Sequence, residues 1–350
     1  MRSTPSLLAV AALSAVAAAQ TPVVLPPSFD LSYGTSSTSL LGGDTTRTQL
    51  VFAAPFPIGT PIFGVGFRCA AGTADRASFT ADIEIMMSSS TAAPGALSST
   101  FTTNQGSDLT VVFPRQMATI PANPANRSTG QFAQFVFPTP YIVGLNGDAN
   151  VVIDVFVHGR SAGASWSTDR AFASANGRLT TYGIGCGAGT ITSTTATSAY
   201  LAGGSFTVDL NNAPPSTFGL LMYSVDQKEV VPGLLLPLDL SILGLATGCD
   251  LMVNPSGGAT AYAADAVGHI SVPFTIPPGI AEVGVGWQWG YFVAPSAANP
   301  AGIEVTNVRQ TYIGPQVVVP NAQYVWDLFD VNAATGTNTT NSVPITQFLL

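Results

Sequence analysis

SFTADIEIMM, residues 78–87, decides the fold class. Phe79, Ala81, Ile83 and Ile85 fall on one side of a two-residue period, and Thr80, Asp82 and Glu84 on the other. Successive side chains of an extended chain point to opposite faces, so this is a strand with one face on a core. VVIDVFVH (151–158) repeats the pattern, with Val151, Ile153, Val155 and Val157 directed inward. GVGFRC (64–69), LTVVF (109–113) and QFAQFVF (131–137) are further strand candidates. Pro-, Gly- and Asn-rich segments such as TAAPG and IPANPANRSTG divide them, as turns require.

The second half follows the same grammar. SFTVDL, FGLLMYSV, HISVPFTI, VGVGWQWGYFV and IEVTNVRQTYIG alternate or run apolar between Gly, Pro and Asn breaks. No helical stripe separates them, which argues against parallel α/β architectures. The expectation is an all-β chain with two antiparallel β-sandwich domains in tandem, jelly-roll-like or Ig-like. Residues 45–180 form the first and residues 181–314 the second. A Pro/Ser/Thr-rich lead occupies 20–44. A β-rich extension, 315–350, either adds strands to the second domain or forms its own hairpin.

Composition narrows the function classes. Apolar residues make up 46% of the 350 and charged residues 9%, against about 25% charged in ordinary chains. Lys228 is the sole lysine, and the net charge is −8. An acidic chain with no basic run has no footprint for nucleic acid. Arg2, the apolar run LLAVAALSAVAAA and Ala17-Ala18-Ala19 read as a signal peptide over residues 1–19, cleaved before Gln20. Later apolar runs are too short to span a bilayer; GLLLPLDLSILGL is broken by Pro237 and Asp239. The expectation is a secreted, cell-surface or periplasmic protein, with no membrane insertion after the signal is removed.

TYGIGCGAGT (181–190) carries two competing signals. Gly183, Gly185 and Ala188 fit G-x-G-x-x-A, but a dinucleotide loop must open a helix. The Thr-rich TITSTTATSAY follows instead, so the match is accidental. Cys186 and Cys249 both follow a glycine, and export places them where disulfides persist. Their pairing leaves Cys69 free and buried beside Phe67; the odd cysteine could instead bridge to another chain. The glycines around Cys186 let the chain cross tightly beside the bond.

YGIGC, SFTVDLNNAPP, LLLPLDLSILGLATGCDLMV, VGVGWQW and TNVRQTYIG together resemble a C-terminal module of uncharacterised secreted proteins of planctomycete-type bacteria. FGVGFRCAAG, DIEIMMSSS and FTTNQGSDLTVVF resemble the N-terminal β-rich module of that group. The resemblance runs to about Gly314. It implies export, β-sandwich modules and a Cys186–Cys249 bond, and it carries no catalytic residue.

Constellations for chemistry are sparse. G-x-S-x-G, H-E-x-x-H and C-x-x-C are absent, and His158 and His269 read as strand-end histidines. Asp82 and Glu84 sit about 7 Å apart on one strand face, a glycosidase-like spacing that a solvated face also produces. Asn146, Asp148 and Asn150 in NGDAN space three oxygen ligands for calcium, and Asp327/Asp330 form a weaker pair; an Asx turn explains NGDAN better. No other cofactor is implied. Trp287, Trp289 and Tyr291 project to one face, where they either stack on sugar rings or form core. Core is favoured because Val283 and Val285 share their face. The leading expectation is a non-catalytic adhesion, assembly or scaffold protein whose partners are other surface proteins or polysaccharide. The alternative is a carbohydrate-binding module using the aromatic row, and a glycan hydrolase ranks last.

Overall fold

The computed structural model describes residues 22–34, 36–127, 129–161, 166–315, 321–339 and 341–350. The leader at 1–19 lies outside them. The fold is all-β, and every ladder between named strands of the two large lobes is antiparallel.

In the first lobe, one sheet runs Thr337–Thr339, Ala322–Asp327, Thr46–Phe52, Asn150–Arg160, Phe79–Ser90, Thr110–Ile120. The other runs Pro22–Leu25, Thr346–Leu349, Pro61–Arg68, Phe132–Ile142. Leu50, Ile83, Ile85, Ile153 and Val155 from the first meet Val65, Phe67, Phe135 and Phe348 from the second in one sandwich-like core. Each such side chain, fully buried, contributes roughly 1.5–3 kcal/mol. The alternation in 78–87 and 151–158 therefore points inward as expected. The opposite face of 151–158 is buried as well, at Val152, Asp154 and Phe156, which a two-residue period alone does not reveal. Leu97 and Phe101, from the loop carrying the short helix Phe101–Asn104, cover Val51, Val152 and Val325.

The described strands of 315–350 go neither to the second lobe nor to a separate hairpin. Ala322–Asp327 pairs with Thr46–Phe52, and Thr346–Leu349 lies between Pro22–Leu25 and Pro61–Arg68. The chain leaves the first lobe, builds the second, and returns. The reason is packing: Phe348 fills the first core, in edge contact with Phe52 and Phe56.

In the second lobe, a sheet ordered Arg178–Tyr182, Val308–Ile313, Val283–Phe292, Phe218–Ser224, Ala259–Ala263 faces a smaller one ordered Thr190–Ser193, Ser205–Asn211, Ile270–Thr275. Arg178–Tyr182 belongs to this lobe by pairing, so the boundary falls slightly before the expected residue 181. Cys186 and Cys249 form a disulfide across a separation of 63 residues, and Cys69 is free and buried. Thr190–Ser193 is a strand where a dinucleotide site would need a helix. A Cβ on Gly187 would stand 1.8 Å from the Glu304 carboxylate, so only glycine allows this crossing.

The lead locks the lobes together. Arg68 and Asp169 form a buried ion pair at 2.8 Å. Arg68 also donates to the carbonyls of Phe29, Ser32 and Thr129, while Asp169 accepts from the Gly34 N–H. From the second lobe, the Gln310 side chain accepts from Tyr33 N–H and donates to Tyr33 C=O. The lead is thus hydrogen-bonded to both lobes at once.

Candidate functional site

The aromatic strand Val283–Phe292 is the centre of the second lobe's larger sheet. Its odd residues face the smaller sheet and its even residues face away. Trp289 and Tyr291 are 0% and 1% exposed, and Trp287 is 5% exposed. The row of exposed rings for sugar stacking is therefore overturned: hydrophobic burial between two sheets outweighs any display of the rings. Tyr291 donates to Glu304 and accepts from Gly189 N–H, and burial pushes its phenol well above the usual range, with the Glu304 bond adding to the rise. The outward face is close-packed, as its glycines lead one to expect. A Cβ on Gly286 would lie 3.0 Å from the Gln227 side chain.

Trp287 differs from its neighbours because it sits near the end of the sandwich, where the two sheets part. Phe206 and Phe274 are cross-strand partners in the small sheet, and Tyr223 and Trp287 are partners in the large one. The two aromatic pairs meet face to face. Trp287 lies 4.6 Å from Phe274 and 5.7 Å from Phe206, centroid to centroid, and Tyr223 lies 6.1 Å from Phe274. Together with Val285 and Ile313 they wall a pocket of about 290 Å³ whose exposed lining includes Val225, Thr275 and Pro277. The indole N–H of Trp287 donates to Thr311 Oγ1 at 2.9 Å, so the ring's faces serve apolar contact while its one polar group is satisfied.

Among the described residues, no charged side chain lines this pocket. An apolar concavity with a few hydroxyls at its mouth suits a neutral ligand that inserts a hydrocarbon or aromatic group. Its volume is at the small end of ligand pockets, which run from about 300 Å³ upward. Sequence reading singled out Trp287 but missed Phe206, Tyr223 and Phe274. Their shared signal is an aromatic residue near the end of three strand candidates, visible only once register places the ends together.

The other candidates separate. Asp82 pairs with Arg115 at 2.7 Å, whose hydrogen bond holds the carboxyl below its usual range, and Glu84 lies 3.3 Å from His158. Each carboxylate has its own partner on a solvated face. His269 stands 3.9 Å from Asp265 at the far end of the second lobe from Trp287's pocket lining. Asp154 is fully buried against Gln49, Gln105 and Arg47 under the Phe101 loop, and burial pushes its carboxyl up.

NGDAN folds as an Asx turn, the reading preferred from sequence over calcium at Asn146, Asp148 and Asn150. Asn146 Oδ1 accepts from Asp148 N–H, and Asn150 Oδ1 accepts from Ala54 N–H. Asp327 similarly accepts from Phe329 and Asp330 N–H. Among the described residues, no three His, Cys, Asp or Glu side chains gather as a metal site. A more polar crevice of about 450 Å³ lies between the lobes beside Cys186. Its carboxylates are engaged: Asp250 accepts from Asn126 and Asp75 from Ala125 N–H.

No protein-family model matches the chain, and no curated protein matches it. Among the described residues no helix is long and apolar enough to cross a membrane.

Proposed function

We propose that this chain is an exported, non-catalytic binding protein with an adhesion, assembly or scaffold role outside the cytoplasm, and that its second lobe holds a neutral partner by an inserted apolar group. One observation carries the reading: the charge-free, aromatic-walled pocket at the open end of the second sandwich. The leader-like start, the resemblance to exported planctomycete-type proteins and the disulfide support the placement outside the cytoplasm. The low charge supports neutral partners. Isolated carboxylates, each tied to its own partner, offer no pair for acid–base chemistry.

Tryptophan fluorescence tests it. Titration with octyl glucoside below its micelle concentration should change the emission saturably, while glucose and cello-oligosaccharides should not. Val225 lies on the rim and is 47% exposed. Val225→Asp places a charge at the mouth and should weaken probe binding about tenfold or more. The same change should alter stability by no more than about 0.5 kcal/mol. Binding of free sugar in place of the octyl probe, or indifference to Val225→Asp, would defeat the proposal.

A further inference from the structure

The second lobe's larger sheet ends in an unprotected edge. Ala259–Ala263 pairs with Phe218–Ser224 on one side only. Its flanking bonds, Ala264 N–H to Thr217 C=O and Tyr223 N–H to Gly258 C=O, fix the ladder's phase. By alternation, Thr260 and Tyr262 bond inward, and Ala259, Ala261 and Ala263 direct their N–H and C=O groups outward. Those three residues are exposed. Tyr262 turns its ring inward against Trp289, 6.0 Å between centroids, which pins the strand in place.

Several other edges of the molecule are blunted. Thr110–Ile120 carries Pro114 and Arg115, Phe132–Ile142 carries Pro138 and Pro140, Ile270–Thr275 carries Pro273, and Arg178–Tyr182 begins with arginine. Prolines, charges and bulges are the usual protection against edge-to-edge pairing. Ala259–Ala263 has none of these. Its neighbours Phe218–Ser224 and Val283–Phe292 are also free of charge. In a chain of net charge −8, pairing along these three strands brings no like charges into the ladder. Phe218, Leu220 and Phe292 lie exposed on the same face, at 58%, 39% and 53%.

We infer that this edge pairs with the same edge of a second copy, antiparallel about a twofold axis at Ala261, joining the two large sheets into one. The register is self-consistent. Ala261 faces its own counterpart, and Ala259 faces Ala263 of the other copy, each pair exchanging both its N–H···O bonds. The alanine side chains leave no steric obstacle on the exposed face. The inference rests on the assembly part of the proposed function and not on the pocket.

Sedimentation velocity of the full mature chain over a concentration series tests it, with two variants. Ala261→Pro removes an outward N–H without touching the ladder to Phe218–Ser224. Ala261→Glu brings two like charges together at the axis. The expected result is a dimer for the native chain at about 100 μM and a monomer for both variants, each with the native thermal midpoint. A monomeric native chain at that concentration, or a dimer that survives Ala261→Glu, overturns the inference. Octyl glucoside titration of the same samples keeps the two proposals apart. A monomer that binds the probe removes only the edge pairing, and a dimer that does not bind it removes only the pocket.

Discussion

The two lobes solve the same problem by different means. The first is closed by the chain itself: Pro22–Leu25 and Thr346–Leu349, near opposite ends of the sequence, are neighbours in one sheet. Its outer sheet face is roofed by Leu97 and Phe101, and the edge strands Thr110–Ile120 and Phe132–Ile142 carry proline. The second is held by a disulfide, parts at one end to leave an apolar pocket, and exposes a neutral edge strand. Strand pairing between the two ends of the chain closes the first lobe. A covalent staple stabilises a lobe that stays open for contact. Under the function proposed above, the difference would give the closed lobe the supporting part and the stapled lobe the binding part.

The strongest way to break that division is at the lock between them. Arg68 is 1% exposed and opposes Asp169. Arg68→Met leaves a buried carboxylate and several carbonyls without their donor, and should cost about 3–5 kcal/mol in chemical denaturation. The loss should depend on pH. Burial raises the Asp169 carboxyl above its unfolded value, and the variant removes the arginine that opposes the rise. An acid whose folded pKa is raised favours folding when protonated, fully so below about pH 4, and that help fades as pH climbs through the folded value. The variant should therefore lose less stability in mild acid than at neutral pH. A cost under about 1 kcal/mol, or a larger loss in acid, would mean the lead does not lock the lobes.

A smaller, more local effect should follow from removing the staple. In the chain-entropy picture a loop closed over 63 residues contributes about 4 kcal/mol, less whatever structure the unfolded chain retains. The double change Cys186→Ser and Cys249→Ser should speed amide exchange in Thr190–Ser193, Asp250–Leu251 and Ile303–Val305. Exchange in Thr46–Phe52 and Asn150–Arg160 should stay slow. Equal acceleration in both lobes would erase the contrast between a self-closed and a stapled sandwich.

Much of this was legible in the sequence, for physical reasons that also mark the limits. Alternation is local, so 78–87 and 151–158 announced strands and their inward residues. The Cys186–Cys249 bond was readable because those two cysteines share a preceding glycine, and the resemblance implied the same pairing. Pairing partners are not local. Nothing in YVWDLFDV states that Tyr324 will lie opposite Leu50. Arg68 sits in an apolar run, GVGFRC, and in a chain with so few charges that position was the available sign of a buried ion pair. The pocket depends on Phe206, Phe274 and Tyr223 ending together, which is a fact of register and not of any one segment.

The smallest expected effect concerns cations. Calcium takes about 6–8 oxygen ligands, most of them unencumbered carboxylates and carbonyls. In the first lobe's two Asx loops those oxygens already accept backbone N–H groups: Asn146 from Asp148 at 2.9 Å, and Asp327 from Phe329 at 2.8 Å. A cation would have to displace bonds that hold the turns. Thermal midpoints measured in millimolar calcium and in excess chelator should therefore coincide, and Asp148→Ala should change neither. Because a ligand that binds the folded chain raises its midpoint by mass action, a calcium-dependent rise would be direct evidence of a site. It would also move a binding function into the lobe that the comparison makes purely structural.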